Sequence, residues 1–435
     1  MRLGLGLRLR PPSVFNPIAA LFANGEKGAW YDPSDLSTLF QDAAGTIPVT
    51  GVEQPVGLMR DKSGRGNHAF QTTSASRPVL SGRYNLLTKT DQFDAAAWSK
   101  VGSTCSDGMT VLETDTTGQH IVYTPTLDLP SSIFRIEAKP YGRDWLRVTT
   151  RIGGASRTAF FQLVGNGVVG VNPSGAVAEI ELLQSGWYLC TITGPMESNS
   201  SGLQIGPTTG SGVSSYAGDI SKGVLLRAVD LRAANDGVNL PPYQRVNTTT
   251  DYDTAGFPLY LRCDGVDDGM VTNSIDFTGT DKMTVWAGVR KLSDAAAGTV
   301  IDFNGTAGTN AFMLRAPGTD TTTSYAFYSG GSIVLGGVAE ASSGYAAPIT
   351  NVLTGIGDVS GDRAILRVNG TQAAASVADQ GTGTYGNYPL YLFRRGGVTR
   401  PFNGRFYGAI IRGAQSSQGQ IDSGESFLNS KTKAY

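Results

Sequence analysis

Short apolar–polar alternations, each a few residues long, run through most of this chain, punctuated by glycine, asparagine and proline. Turn residues recur about every 8 to 12 positions, a spacing that predicts many short antiparallel strands. Phe134-Arg-Ile-Glu-Ala138 alternates strictly, so one face of that strand is wet. Further strands are expected at Ile121–Thr124, Trp145–Thr150, Ala159–Leu163, Ala178–Leu183, Trp187–Ile192 and Val224–Val229. Lys282–Arg290 is apolar at nearly every position, as a central strand covered on both faces would be. Leu259–Cys263 runs into a turn at Asp264-Gly265, where glycine takes positive φ freely and Asp bonds its own backbone. Asn369-Gly370 is a hairpin signal between two strands. Helical spacing is rare. Ile421 and Phe427-Leu428 place one apolar face on a helix within Gln415–Leu428, and Ser34 or Asp35 can cap a short helix over Leu36–Phe40.

Composition strengthens the β reading. The 435 residues include 57 glycines, and only 16% are charged, which disfavours helices and leaves room for two or three domains. A net charge of −1 gives no broad attraction to nucleic acid or to anionic membrane. No run approaches the ~18 apolar residues of a membrane span, and the Arg-containing start lacks the apolar stretch of a secretory signal. Cys105, Cys190 and Cys263 are odd in number and widely spaced, so free buried thiols are expected. With His68 and His120 the only histidines, histidine-based triads and metal sites are nearly excluded by supply.

Two separated segments carry a family resemblance. Asp61-Lys-Ser-Gly-Arg-Gly-Asn-His68 with Arg77-Pro-Val-Leu80, and Leu261-Arg-Cys-Asp-Gly-Val-Asp-Asp268, resemble consecutive motifs of concanavalin A-like (laminin-G-like) lectin domains in phage and prophage proteins. In such domains they follow one another closely; here a long segment lies between them. That segment opens on Tyr84-Asn-Leu-Leu-Thr88 to Trp98 and closes on Pro242-Tyr-Gln-Arg-Val246, which resembles carbohydrate-binding-module-like jelly rolls. The ending Phe402-Asn-Gly to Ile411 is similar to the end of the lectin domains. The resemblance implies an all-β chain of antiparallel sandwiches with one discontinuous domain. The expected parts are an arm (1–24), a first lectin-like part (25–84), an inserted jelly roll (85–250) and a second lectin-like part (251–435). In the arm, Leu3, Leu5, Leu7 and Leu9 fall on one face of an extended strand, suited to pairing with another subunit or to docking on its own domain.

Candidate chemistry is sparse. Asp267-Asp268 are neighbours, which on a strand would point apart, and a solvated turn is the simpler expectation. Glu137, Glu179 and Glu181 read as surface carboxylates on strands of the insert. Asp61 could serve a calcium ion, but no dense acidic cluster accompanies it. No Gly-x-Ser-x-Gly, His-Glu-x-x-His or phosphate-loop motif occurs, so no catalytic residue, metal site or cofactor is expected. Aromatic residues are better binding candidates, since sugar C–H groups stack on π faces. Trp98, Trp187 and Trp286 read as core. Trp145, with Tyr385 and Tyr388 in or beside the Gly-rich loop 381–387 and Arg394 nearby, are the expected ligand contacts; Tyr188, Tyr391 and Arg395 stand near them.

The resemblance implies a non-enzymatic virion protein, in a tail fibre, tail tip or head decoration, assembled in the host cytoplasm. Its expected partners are other virion proteins, copies of itself (a trimer is favoured) and a host-surface glycan, without nucleic acid or membrane insertion. The alternatives are a glycan depolymerase on the same scaffold and a cement protein with no ligand.

Overall fold

The computed structural model describes residues 16–172, 175–237, 239–304 and 308–435. Leu3, Leu5, Leu7 and Leu9 therefore lie outside the described residues. The chain divides into two compact units. The first combines the segment ending at Leu80 with Tyr260–Ala347 and Asn351–Tyr435; the second is Ser81–Leu259 with Pro348–Thr350. Both are built from antiparallel sheets, and the fold is an all-β set of sandwiches.

In the first unit an eight-stranded sheet runs in the order Thr371–Ser376, Arg363–Val368, Ile349–Asp358, Lys282–Lys291, Asn403–Arg412, Tyr260–Asp264 and Val79–Ser81. Gly28–Tyr31 pairs with the far half of Asn403–Arg412. The apolar strand Lys282–Lys291 is central, as its composition requires. A nine-stranded sheet faces it, in the order Leu39–Phe40, Leu58–Met59, Ala69–Phe70, Met270–Asp276, Asn387–Leu392, Thr299–Phe303, Ala311–Arg315, Tyr325–Gly330 and Gly337–Ala341. Between the sheets pack Phe277, Phe303 and Phe312, with ring centroids 5.1–6.1 Å apart. Asn369 and Gly370 both take positive φ, making the expected hairpin turn.

The loop Asp61–His68 is fastened by its first residue. The buried Asp61 carboxylate accepts from the Trp30, Ser63 and Asn67 amides and the Ser63 hydroxyl, and the Asp61 amide donates to His68 Nδ1. Those donors fill the carboxylate, so its role is to shape the loop. The helix Gln418–Thr432 starts with a capping box between Ser417 and Gln420. It lies on the outer face of the eight-stranded sheet, where Ile421 and Leu428 cover Trp30, Trp286, Val352 and Ile410 together with Ile18, Leu21 and Phe22. Leu36–Thr38 forms one 3₁₀ turn, capped by Asp35.

The second unit packs two six-stranded sheets around Phe134, Ile136, Leu146, Val148, Phe161, Ile205 and Leu226. Asn199–Thr208, too rich in Ser and Gly to read as a strand, is one because it pairs on both sides, with Ile121–Thr126 and Trp145–Ile152. The ends of this unit are tied by two fully buried amides. Gln244 Oε1 accepts from the Tyr84 and Asn85 amides, and its Nε2 donates to Gly82 and Asp253 carbonyls. Asn85 Nδ2 donates to Val229 and Gln244 carbonyls, and its Oδ1 accepts from Leu87 and Leu231. Buried amides satisfied at every atom fix a unique arrangement.

All three cysteines are free, with Cys190 and Cys263 buried and Cys105 half-buried. Burial pushes all three thiols up, away from reactivity. Among the described residues no helix is long and apolar enough to cross a membrane.

Candidate ligand-binding face

Strand geometry sorts the nine-stranded sheet into two faces. Ile301 and Phe303, Phe312 and Leu314, Tyr325 and Phe327, and Leu390 and Leu392 are buried toward the core. Their neighbours point outward. The registers align Phe70, Val271, Tyr391, Asp302, Met313, Tyr328 and Val338 in one row across seven strands. Arg315, Ala326 and Glu340 form part of the next row. Tyr328, Tyr391, Val338 and Glu340 are half-buried. Met313, Asp302 and Arg315 are 0%, 3% and 5% exposed, forming the floor of the face.

Two loops fix its polar groups. Asp302 Oδ2 accepts from the Gly396 amide at 2.8 Å, holding the turn 395–399. Gly396 and Gly397 have positive φ, and a Cβ on Gly397 would sit 3.4 Å from the Tyr391 ring, so glycine lets the loop approach the aromatic closely. Arg315 Nη1 donates to the Gly318 carbonyl and to Tyr328 Oη, both at 3.3 Å, and its Nε meets Met313 Sδ. The guanidinium lies 4.6 Å from the Tyr328 ring centroid, a cation–π contact. Burial lowers its pKa, and Arg400 and Arg395 push the same way, against Tyr328 and Asp302.

The candidates named from sequence land in different surroundings. Tyr385, expected to be exposed on a Gly-rich loop, is instead 0% exposed: it packs edge-on to Phe312 and shares a hydrogen bond with Ser329. The loop's glycines turn the chain inward there, so loop position did not mean exposure. Tyr388 is half-buried and packs against Phe303 on the core side. Arg394 spans the loop base, donating to Asp267 and Val398 carbonyls, which makes it a brace. Trp145 belongs to the second unit and is half-buried, and a Cβ on Gly170 would stand 2.9 Å from its ring. Trp98 and Trp286 are core, and Trp187 is buried beneath the Arg227 guanidinium, 3.9 Å from its centroid. Sequence reasoning passed over Arg315, Tyr328 and Asp302, and over the strand Thr299–Phe303 that holds Asp302. The available signal was parity: each occupies the outward position between two core residues.

Carboxylates elsewhere are mostly spent. Asp264 Oδ1 accepts from the Val266, Asp267 and Asp268 amides, Asp268 Oδ2 from the Asp264 amide, and Asp267 Oδ2 from Ser76 Oγ. The three carboxylates converge within 4.8 Å, a set of oxygens that could hold a hard cation. Asp268 is buried rather than solvated, contrary to expectation, and burial raises its pKa to about 6. In the second unit Glu137 is paired with Arg227 at 2.6 Å. Glu179 and Glu181 line a depression of about 470 Å³ with Val169, Ile180, Leu189 and Thr191, a lining without aromatic residues.

No protein-family model matches the chain, and no curated protein does. Among solved structures, the CBM40 of the Ruminococcus gnavus IT-sialidase, bound to α2,3-sialyllactose, aligns at 14% identity and TM-score 0.27, over 34% of this chain and 83% of that one. The binding domain of botulinum neurotoxin serotype D aligns at 9% identity and TM-score 0.30, over 43% of this chain and 45% of that one. At such scores the likeness decides neither fold nor ligand.

Proposed function

We propose that this chain is a non-enzymatic structural protein of a phage or prophage particle that binds host-surface glycan through the outer face of its nine-stranded sheet. The observation that carries the binding half is the row Tyr391–Asp302–Met313–Tyr328 beside Arg315. It puts two aromatic rings and a few fixed polar groups on a shallow, partly open surface, the combination that grips a sugar ring. Asp302 is committed to its loop and Arg315 holds Gly318 and Tyr328 through Nη1, so the face is built to hold and not to move protons. The particle setting, in a tail fibre, tail tip or head decoration, rests on the resemblance of Asp61–Leu80 and Leu261–Asp268 to phage lectin domains. Oligomerisation belongs to the same reading, since appendages of particles are symmetric.

The test is a bacterial polysaccharide array probed with the purified chain and with a Tyr328→Ala/Tyr391→Ala double variant. Binding that is lost in a double variant that still unfolds cooperatively supports the reading. Binding that survives it moves the site elsewhere, and falling polysaccharide viscosity on adding protein would replace binding by depolymerisation. Immunogold microscopy of particles tests the setting: label at the distal tail or over the head supports it, and no label with an accessible epitope overturns it.

A further inference from the structure

Arg315 is 95% removed from solvent by its 5% exposure, yet no carboxylate is in contact with it among the described residues. Its hydrogen bonds use Nε and Nη1, leaving Nη2 without an acceptor among the described residues. Arg400 and Arg395 act against its charge, and Asp302 acts in its favour. Asp302 is itself engaged with the Gly396 amide. Arg315, Arg395 and Arg400 outnumber Asp302 and Glu340, the acids of the same face, by three to two. The guanidinium carries no carboxylate among the described residues, and its Nη2 N–H groups remain to meet a carboxylate or sulfate from outside.

We propose that the outer face of the nine-stranded sheet takes an acidic saccharide, whose carboxylate or sulfate meets Arg315 with Arg400 at the rim, while Tyr328 and Tyr391 contact the sugar rings. This rests on the glycan-binding reading of the same face and adds the charge of its ligand. The chain as a whole carries −1, so the preference comes from this local cluster and not from bulk attraction.

The experiment measures affinity of the full chain for polygalacturonate, dextran sulfate and uncharged dextran at two salt concentrations. The expected result is binding to at least one acidic polymer, at least tenfold over dextran, weakened as salt rises. Arg315→Met should remove that preference. Arg400→Gln, at a half-buried position, should weaken it at least threefold with an unchanged melting temperature, so the idea stands or falls even if Arg315→Met misfolds. Equal affinity for dextran overturns the acidic inference and leaves glycan binding intact. So does acidic-polymer binding that persists in Arg400→Gln and in folded Arg315→Met, because the charge would then be read elsewhere. Binding to no polysaccharide in these measurements or on the array overturns both.

Discussion

The two outer faces of the first unit's sandwich have opposite fates. On the eight-stranded sheet the outward positions include Trp30, Trp286 and Ile410, and the helix Gln418–Thr432 covers them. The fit is close: Gly424 lies against the Trp286 indole, where a Cβ would stand 2.7 Å from Nε1, and that nitrogen donates to the Ile421 carbonyl. On the nine-stranded sheet the outward face carries Tyr391, Asp302, Tyr328 and Arg315, and loops bound it without removing the rings from solvent. An apolar outer face gains by recruiting a helix, because burying it is favourable in proportion to area. A face that mixes rings with fixed polar groups gains less from cover and stays usable.

That contrast breaks most sharply at the helix. Leu428, fully buried on the covered face, should cost about 3 kcal/mol or more on truncation to Ala, read as an earlier denaturant midpoint for the first unit. Glu425 comes next. It is 3% exposed and accepts from Thr354 Oγ1 and, through both oxygens, from Arg367. Glu425→Ala strands a guanidinium beneath the helix and should cost about 3 kcal/mol; a loss under about 0.5 kcal/mol would mean the helix is held by apolar contact alone. Tyr391→Ala on the open face should change stability by less, on the order of 1 kcal/mol, while lowering glycan affinity about tenfold. Equal stability losses at Tyr391 and Leu428 would show the two faces are not different in kind.

The smallest effect lies at the turn that carries the chain from one sheet to the other. Asp268 sits between Tyr260–Asp264 and Met270–Asp276, and burial raises its carboxyl to about 6. An acid whose folded pKa exceeds its unfolded value binds more protons when folded. Its contribution is therefore greatest below about pH 4 and is lost as pH rises to about 6. Asp268→Asn keeps an acceptor for the Asp264 amide and should flatten that slope, seen in melting temperatures between pH 4 and 7. An unchanged slope would place the titration on another group.

Strands were the legible part of this molecule, because alternation and glycine turns report them directly. The strand expected at Trp145–Thr150 and the Asn369-Gly370 hairpin lie where the pattern puts them. The buried aromatic residues Trp98 and Trp286 were equally readable. Side-chain fate in loops was not. Tyr385 looked exposed because glycines surround it, but whether a loop folds inward depends on partners such as Phe312 and Ser329 on distant strands. The face around Arg315 was hidden for a related reason. Its members are spread over 90 residues of sequence, and register across several strands is what brings them into rows. Asn85 and Gln244 show the reverse: the two motifs that mark the ends of the second unit bond each other there.

The strands Val79–Ser81 and Tyr260–Asp264 are neighbours in one sheet, although the whole of residues 81–259 is made between them. On a ribosome adding about 5–20 residues per second, that interval lasts roughly 10–35 s. The first strands of the first unit must wait that long for their partners, while every strand of the second unit is already at hand. The second unit is therefore first to complete its core. When Gln244 closes on Asn85, the chain's two exits are tied side by side, and a pairing distant in sequence becomes as local as a hairpin.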